Sequence, residues 1–100
     1  MTTELTGAAR RQLRQAGKTL EAAATVGKEG LTDGVVANVS DLLDRRELLK
    51  VRLPAGAIRK TIAAELAART AAELITVVGR TCLLYRPNPE LPAGERIVLL

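Results

Sequence analysis

Lys28 stands between two glycines in the run Ala24-Thr25-Val26-Gly27-Lys28-Glu29-Gly30-Leu31-Thr32. Thr25 and Val26 favour a strand, and a regular apolar pattern resumes at Val35. Gly27 to Gly30 is therefore a Gly-x-x-Gly loop between a strand and a helix. Glycine has no Cβ, so it takes positive φ and lets a second backbone approach. Thr32 or Asp33 caps the helix that follows. Free amides, a helix N-terminus and the Lys28 ammonium then converge, which is the chemistry of an anion site and most simply of a phosphate. Glu29 opposes Lys28; it points to solvent or accepts a hydrogen bond from a base or ribose hydroxyl. The same four residues also fit a plain strand-to-helix turn, and two glycines alone do not choose between the readings.

A second group of cations lies upstream. A helix from about Thr6 to Ala22 puts Ala9, Leu13, Ala16 and Leu20 on one side. It gathers Arg10, Arg11, Arg14 and Lys18 within an arc of about 100° on another. No acid interrupts that arc, because Glu4 and Glu21 stand at its ends. Four cations with no carboxylate at i+4 suit a polyanion, although a solvated face has the same pattern. Gly17 inside a helix costs about 1 kcal/mol relative to alanine; it either permits close packing or marks a break. Lys50 and Arg52 share one face of a later strand, and Arg80 falls at the tip of a hairpin.

Composition narrows the chemistry further. The chain has 100 residues, 47% hydrophobic and 26% charged, which suits one globular domain. Its net charge of +4 favours a polyanionic partner. There is no histidine to serve as a general base. Cys82 is single, which rules out an internal disulfide or a zinc cluster, and its apolar strand reads as the setting of a buried structural thiol. The loop lysine is not followed by the Ser or Thr that a nucleotide-binding loop needs. The expectation is no enzyme, no cofactor, no metal and no small-molecule substrate. Tyr85 is the only aromatic residue, so the stacking platform of an RRM is absent. Met1 to Glu4 lack the regions of a signal peptide. No apolar run is long enough to span a membrane. A cytoplasmic protein with no membrane partner is expected.

The elements that must hold these groups follow in order. After the first helix comes a strand, Ala24 to Val26, and after the loop a helix from about Asp33 to Arg46. Val35, Val39, Leu42 and Leu43, with Val36 at the edge, form its apolar stripe. Asp33, Asp41 and Asp44 lie outward, so only its N-terminal end suits a nucleic acid, while Arg45 and Arg46 complement the dipole. In Glu47 to Leu53, Leu49, Val51 and Leu53 alternate with Leu48, Lys50 and Arg52, the mark of a strand. Pro54-Ala55-Gly56 breaks the chain. A third helix, Ala57 to Thr70, points Ile58, Ile62, Ala63 and Leu66 inward and pairs Glu65 with Arg69, worth about a few tenths of a kcal/mol. Strands Leu74 to Val78 and Thr81 to Arg86 flank the two-residue turn Gly79-Arg80. Three prolines then make Asn88 to Gly94 an extended tail, and Ile97 to Leu100 either adds an edge strand or frays. The sum is a compact α/β domain over residues 1–86, in the order α-β-α-β-α-β-β, with a proline-rich tail over 87–100. A right-handed crossover makes the first two strands parallel, and the closing hairpin is antiparallel, giving a mixed four-stranded sheet.

Four ordered blocks resemble a known family. They are Leu5-Thr6 with Arg10-Arg11-Gln12-Leu13-Arg14; Val26 to Thr32; Glu47-Leu48-Leu49-Lys50-Val51; and Val78 to Arg86. Together they are similar to the CRM domain (chloroplast RNA splicing and ribosome maturation) in its stand-alone bacterial, YhbY-like form. The resemblance implies a compact RNA-binding fold similar to the C-terminal domain of translation initiation factor three. It implies association with large-subunit ribosomal precursors, and an RNA contact through Gly27, Lys28, Glu29 and Gly30, with Thr32 beside them. The chain departs from the family where Ala16-Gly17 replaces the usual Ala-His, and where Ala22 and Ala23 stand in place of a proline. The expected function is a non-catalytic RNA-binding protein gripping ribosomal RNA through Gly27 to Gly30, Thr32, Arg10, Arg11, Arg14, Lys18, Lys50, Arg52 and Arg80. The alternative is a protein adaptor whose basic helix docks on an acidic partner.

Overall fold

In the computed structural model, which describes residues 5–100, Thr6 starts the first helix. Its hydroxyl accepts from the Ala9 amide at 3.0 Å, satisfying one of the orphan donors of the helix end. The reading of Met1 to Glu4, including Glu4 as the acid at the helix end, lies outside the described residues. Helix α1 (Gly7–Gly17) stops well before Ala22. Both readings of Gly17 hold. A Cβ there would lie 2.6 Å from Leu83 Cδ2, so the helix rests on the sheet at this point, and the chain turns immediately afterwards, with the Leu20 amide donating to the Gly17 carbonyl.

Strand β1 (Ala22–Thr25) begins earlier than the sequence pattern suggests, but the Val26 amide still reaches the Arg52 carbonyl at 2.8 Å. Helix α2 (Asp33–Arg45) is capped by Thr32, whose hydroxyl accepts from the Val35 amide. Strand β2 (Leu48–Arg52), helix α3 (Arg59–Arg69), and strands β3 (Glu73–Val78) and β4 (Thr81–Tyr85) complete the order. The sheet runs β1-β2-β4-β3, parallel between β1 and β2 and antiparallel elsewhere. This is the mixed four-stranded sheet that the sequence implies. Gly79 takes φ +57° in the hairpin turn, where an L side chain is strained.

Period-two alternation gives each strand two faces. Leu49, Val51 and Leu53 face α2 and α3 and pack with Val39, Leu43, Leu66 and Leu84. Leu48 faces the other way, onto α1, with Leu13, Ile75, Leu83 and Tyr85. Ile58 does not turn inward as expected; it precedes α3 and is exposed. Arg69 bonds Asp33 at 2.9 Å rather than Glu65. It also reaches the Leu31 carbonyl, and two acceptors at the start of α2 outweigh one solvated neighbour on its own helix. Arg86 joins the layers, donating to the Ser40 and Thr70 carbonyls, the Ser40 hydroxyl and the Asp44 carboxylate.

Residues 87–100 are not a straight tail. Asn88 to Leu91 form a turn and Ala93–Glu95 a short 3₁₀ helix. The final residues are neither an added strand nor frayed. Ile97 and Leu99 pack on the α1-side core. The Gln12 carboxamide donates to the Val98 carbonyl at 2.7 Å and accepts from the Leu100 amide at 2.9 Å. Buried Glu47 accepts from the amides of Asn88 and Ile97.

Strand β4 carries two acids held in their protonated forms. Burial pushes the Cys82 thiol from 9.0 up to about 12. Burial, and then the Glu47 carboxylate, raise the Tyr85 phenol. The folded state therefore keeps protons that the unfolded chain gives up. The stability tied to Cys82 is fully present below about pH 9 and is lost as the pH rises from there through about 12. Urea titrations should show the unfolding free energy falling by about 1 kcal/mol between roughly pH 9 and 10. Cys82→Ala should flatten that slope despite its lower starting stability. A parent curve that is level across this range would contradict the assignment.

Candidate nucleic-acid interface

The register puts four strand ends on one edge of the sheet. Thr25 lies beside Arg52, Arg52 beside Thr81, and Thr81 beside Val78. The Gly27–Gly30 loop continues from β1 at this edge, and the Gly79-Arg80 turn closes the hairpin there. Lys28, Arg52 and Arg80 consequently line one groove together with Pro54, Ala55 and Ile58. Lys28 and Glu29 are exposed at its lip.

The loop is closed by the Gly30 amide, which donates to the Gly27 carbonyl at 3.0 Å, so this amide is not free for an anion. The amides of Lys28 and Glu29 have no acceptor among the described residues. Gly30 has φ +77° and needs glycine for that reason, whereas Gly27 does not. At both positions a Cβ would meet nothing within 4 Å, so the space over the loop is open. The first turn of α2 already holds the Asp33 carboxylate, which disfavours a phosphate directly on the helix axis.

A second groove continues the basic edge on the α1 side. Lys50 and Arg52 lie on the same face of β2 as Leu48, and with Thr25 and Thr81 they line this groove beside Glu21. Next to it, between α1 and the hairpin, Arg14, Lys18 and Lys50 surround a cleft of about 260 Å³. Arg52 and Lys50 are thus shared between neighbouring grooves, and the cations form one line: Arg14, Lys18, Lys50, Arg52, Arg80, Lys28. None of the six is in an ion pair among the described residues.

Arg10 does not belong to this line. It lies at the other end of α1, with its guanidinium 3.4 Å from Glu73 and from the Leu74 carbonyl. The wheel found no acid on the helix itself, but β3 supplies one. Arg11 is exposed and lines none of the three grooves. Sequence reasoning missed Thr76, Val78 and Leu83 in the cleft and Ile58 in the loop groove. The only signal for the first three was their alternation on the hairpin face that receives α1.

Comparison with known proteins agrees with the fold and the order of the blocks. The family model of the CRS1/YhbY (CRM) domain matches residues 5–86. A probable RNA-binding protein of Pseudomonas aeruginosa is 33% identical over 88 residues, covering 86% of this chain and 85% of that protein. One of Bacillus subtilis is 30% identical, covering 86% of this chain and 92% of its own. The solution structure of a Staphylococcus aureus protein, described there as a candidate RNA-binding protein, superposes with a TM-score of 0.81 at 29% identity. It covers 97% of this chain.

Proposed function

This chain belongs to the CRS1/YhbY (CRM) domain family, and on that basis we propose that it is a non-catalytic RNA-binding protein. In this reading it acts in the cytoplasm on ribosomal RNA within large-subunit precursors. The names of its relatives support the RNA partner. The observation that carries the reading is the line of six cations along three adjoining grooves, ending at an open Gly-x-x-Gly loop. Lys28 and Arg80 would hold phosphates at the loop, Arg52 and Lys50 along the strand ends, and Lys18 beside α1, where Arg14 adds further positive charge. Such contacts position a backbone and carry little sequence information.

Electrophoretic shifts with fragments of large-subunit ribosomal RNA across a salt series test this reading. Lys28→Ala should weaken binding to all fragments alike and flatten the slope of log affinity against log salt by roughly 0.7. Gly30→Val keeps the charge but strains a positive φ and fills the open space. It should weaken binding with little change of slope. Were both variants folded and indistinguishable from the parent, the loop would have no part in the contact, and an acidic protein partner for the basic edge would become the better reading.

A further inference from the structure

The cleft between α1 and the β3–β4 hairpin differs in chemistry from the rest of the basic edge. Gly17 rests on Leu83 within the cleft, whose apolar lining is buried Leu83 together with Val78, a valine left 66% exposed. Two hydroxyl-bearing residues, Thr76 and Thr81, also line it. Thr81 donates to the Val78 carbonyl at 3.0 Å and keeps lone pairs to accept. Thr76 has no side-chain partner among the described residues, so it is free to donate or accept. Arg14, Lys18 and Lys50 line the cleft as well, and no carboxylate does.

A phosphate has no use for an apolar lining, and an aliphatic ligand has no use for three cations. The occupant must be flat and apolar on its faces, polar at its edges, and joined to negative charge. We infer that the cleft receives one unstacked nucleobase from a single-stranded stretch of the bound RNA, sandwiched between the Arg14 guanidinium and the apolar side chains of Leu83 and the exposed Val78. Lys18 and Lys50 hold the phosphates on either side. Size permits this: an apolar cavity of about 150 Å³ takes up benzene, and this one measures about 260 Å³. Bases do stack on guanidinium planes as well as on aromatic rings, so a chain with a single aromatic residue still has one stacking partner to offer. The threonine hydroxyls would meet the base edge. The inference rests on the RNA-binding reading above and adds a base contact to a surface that otherwise touches only backbone.

The test compares two short single-stranded oligoribonucleotides of equal length, one complete and one with a single central abasic site. They carry the same phosphates and differ only in the base. The parent should bind the complete strand about tenfold more tightly, the scale of one base stack. A 2-aminopurine placed at that position should change its fluorescence on binding. Arg14→Lys keeps the charge and loses the plane, so it should bring the preference below about threefold while leaving the salt slope as it was. Arg14 is exposed, so this change does not threaten folding. Equal binding of both strands with a steep salt slope would overturn the base site and leave the phosphate line standing. Binding of structured ribosomal RNA without any binding of single strands would do the same. Failure to bind every RNA would remove both readings together.

Discussion

A variant with alanine at Arg14, Lys18, Lys50 and Arg52 together is expected to lose roughly two to three orders of magnitude in affinity for ribosomal RNA at low salt. Its salt slope should fall by roughly 2, at roughly 0.7 for each of the phosphate contacts of Lys18, Lys50 and Arg52. These four residues span the two α1-side grooves and are linked through Lys50. They are solvated, and none holds another element in place through an ion pair, so the melting temperature should stay near that of the parent. The same change at Arg10 serves as the control. That guanidinium is engaged by Glu73 and the Leu74 carbonyl, away from the line. If the quadruple variant binds as the parent does, measured by fluorescence anisotropy across salt, the α1-side edge is not the RNA surface.

Ending the chain at Arg86 should lower the melting temperature by about 8–32 °C. A side chain moved from water to a full core position contributes about 1.5–3 kcal/mol. Ile97 and Leu99 are only partly covered, and removing them also uncovers Leu48, Tyr85 and Leu13 on the α1 side. A total of about 2–4 kcal/mol follows, and each kcal/mol shifts the midpoint of a domain this size by about 4–8 °C. The Glu47 carboxylate loses its two amide donors but opens to water at the same time, so it adds little to the loss. Thermal melts followed by circular dichroism decide the matter. A midpoint within about 3 °C of the parent would mean that the last fourteen residues add nothing to the fold.

Local pattern carried most of the fold. The alternation of Leu49, Val51 and Leu53 with Lys50 and Arg52, and the Gly79-Arg80 turn, were enough to place β2 and the hairpin with the right faces. The errors arose where the partner was distant in sequence. A helical wheel cannot see Glu73, which lies 63 residues beyond Arg10. Arg69 chose Asp33 across the structure over Glu65 on its own helix. The apolar run Ile97-Val98-Leu99-Leu100 suits either an added edge strand or a frayed end, yet it is neither; Gln12 and Glu47 hold its backbone through side chains. The candidate site was legible as a set of cations. Their division into one line and two outliers was not, because it depends on where α1 crosses the sheet.

The Gly27–Gly30 loop is held at both ends. Before it, Val26 is buried and its amide is fixed on Arg52. After it, Leu31 packs against the core while Arg69 grips the Leu31 carbonyl and the Asp33 carboxylate. Four residues between two such anchors have little conformational freedom left to lose. A free loop would surrender about 1–2 kcal/mol of backbone entropy for each residue that it ordered on a ligand. Here most of that loss has already occurred during folding. A modest number of electrostatic contacts can then give useful affinity, because little of their free energy is consumed in shaping the loop.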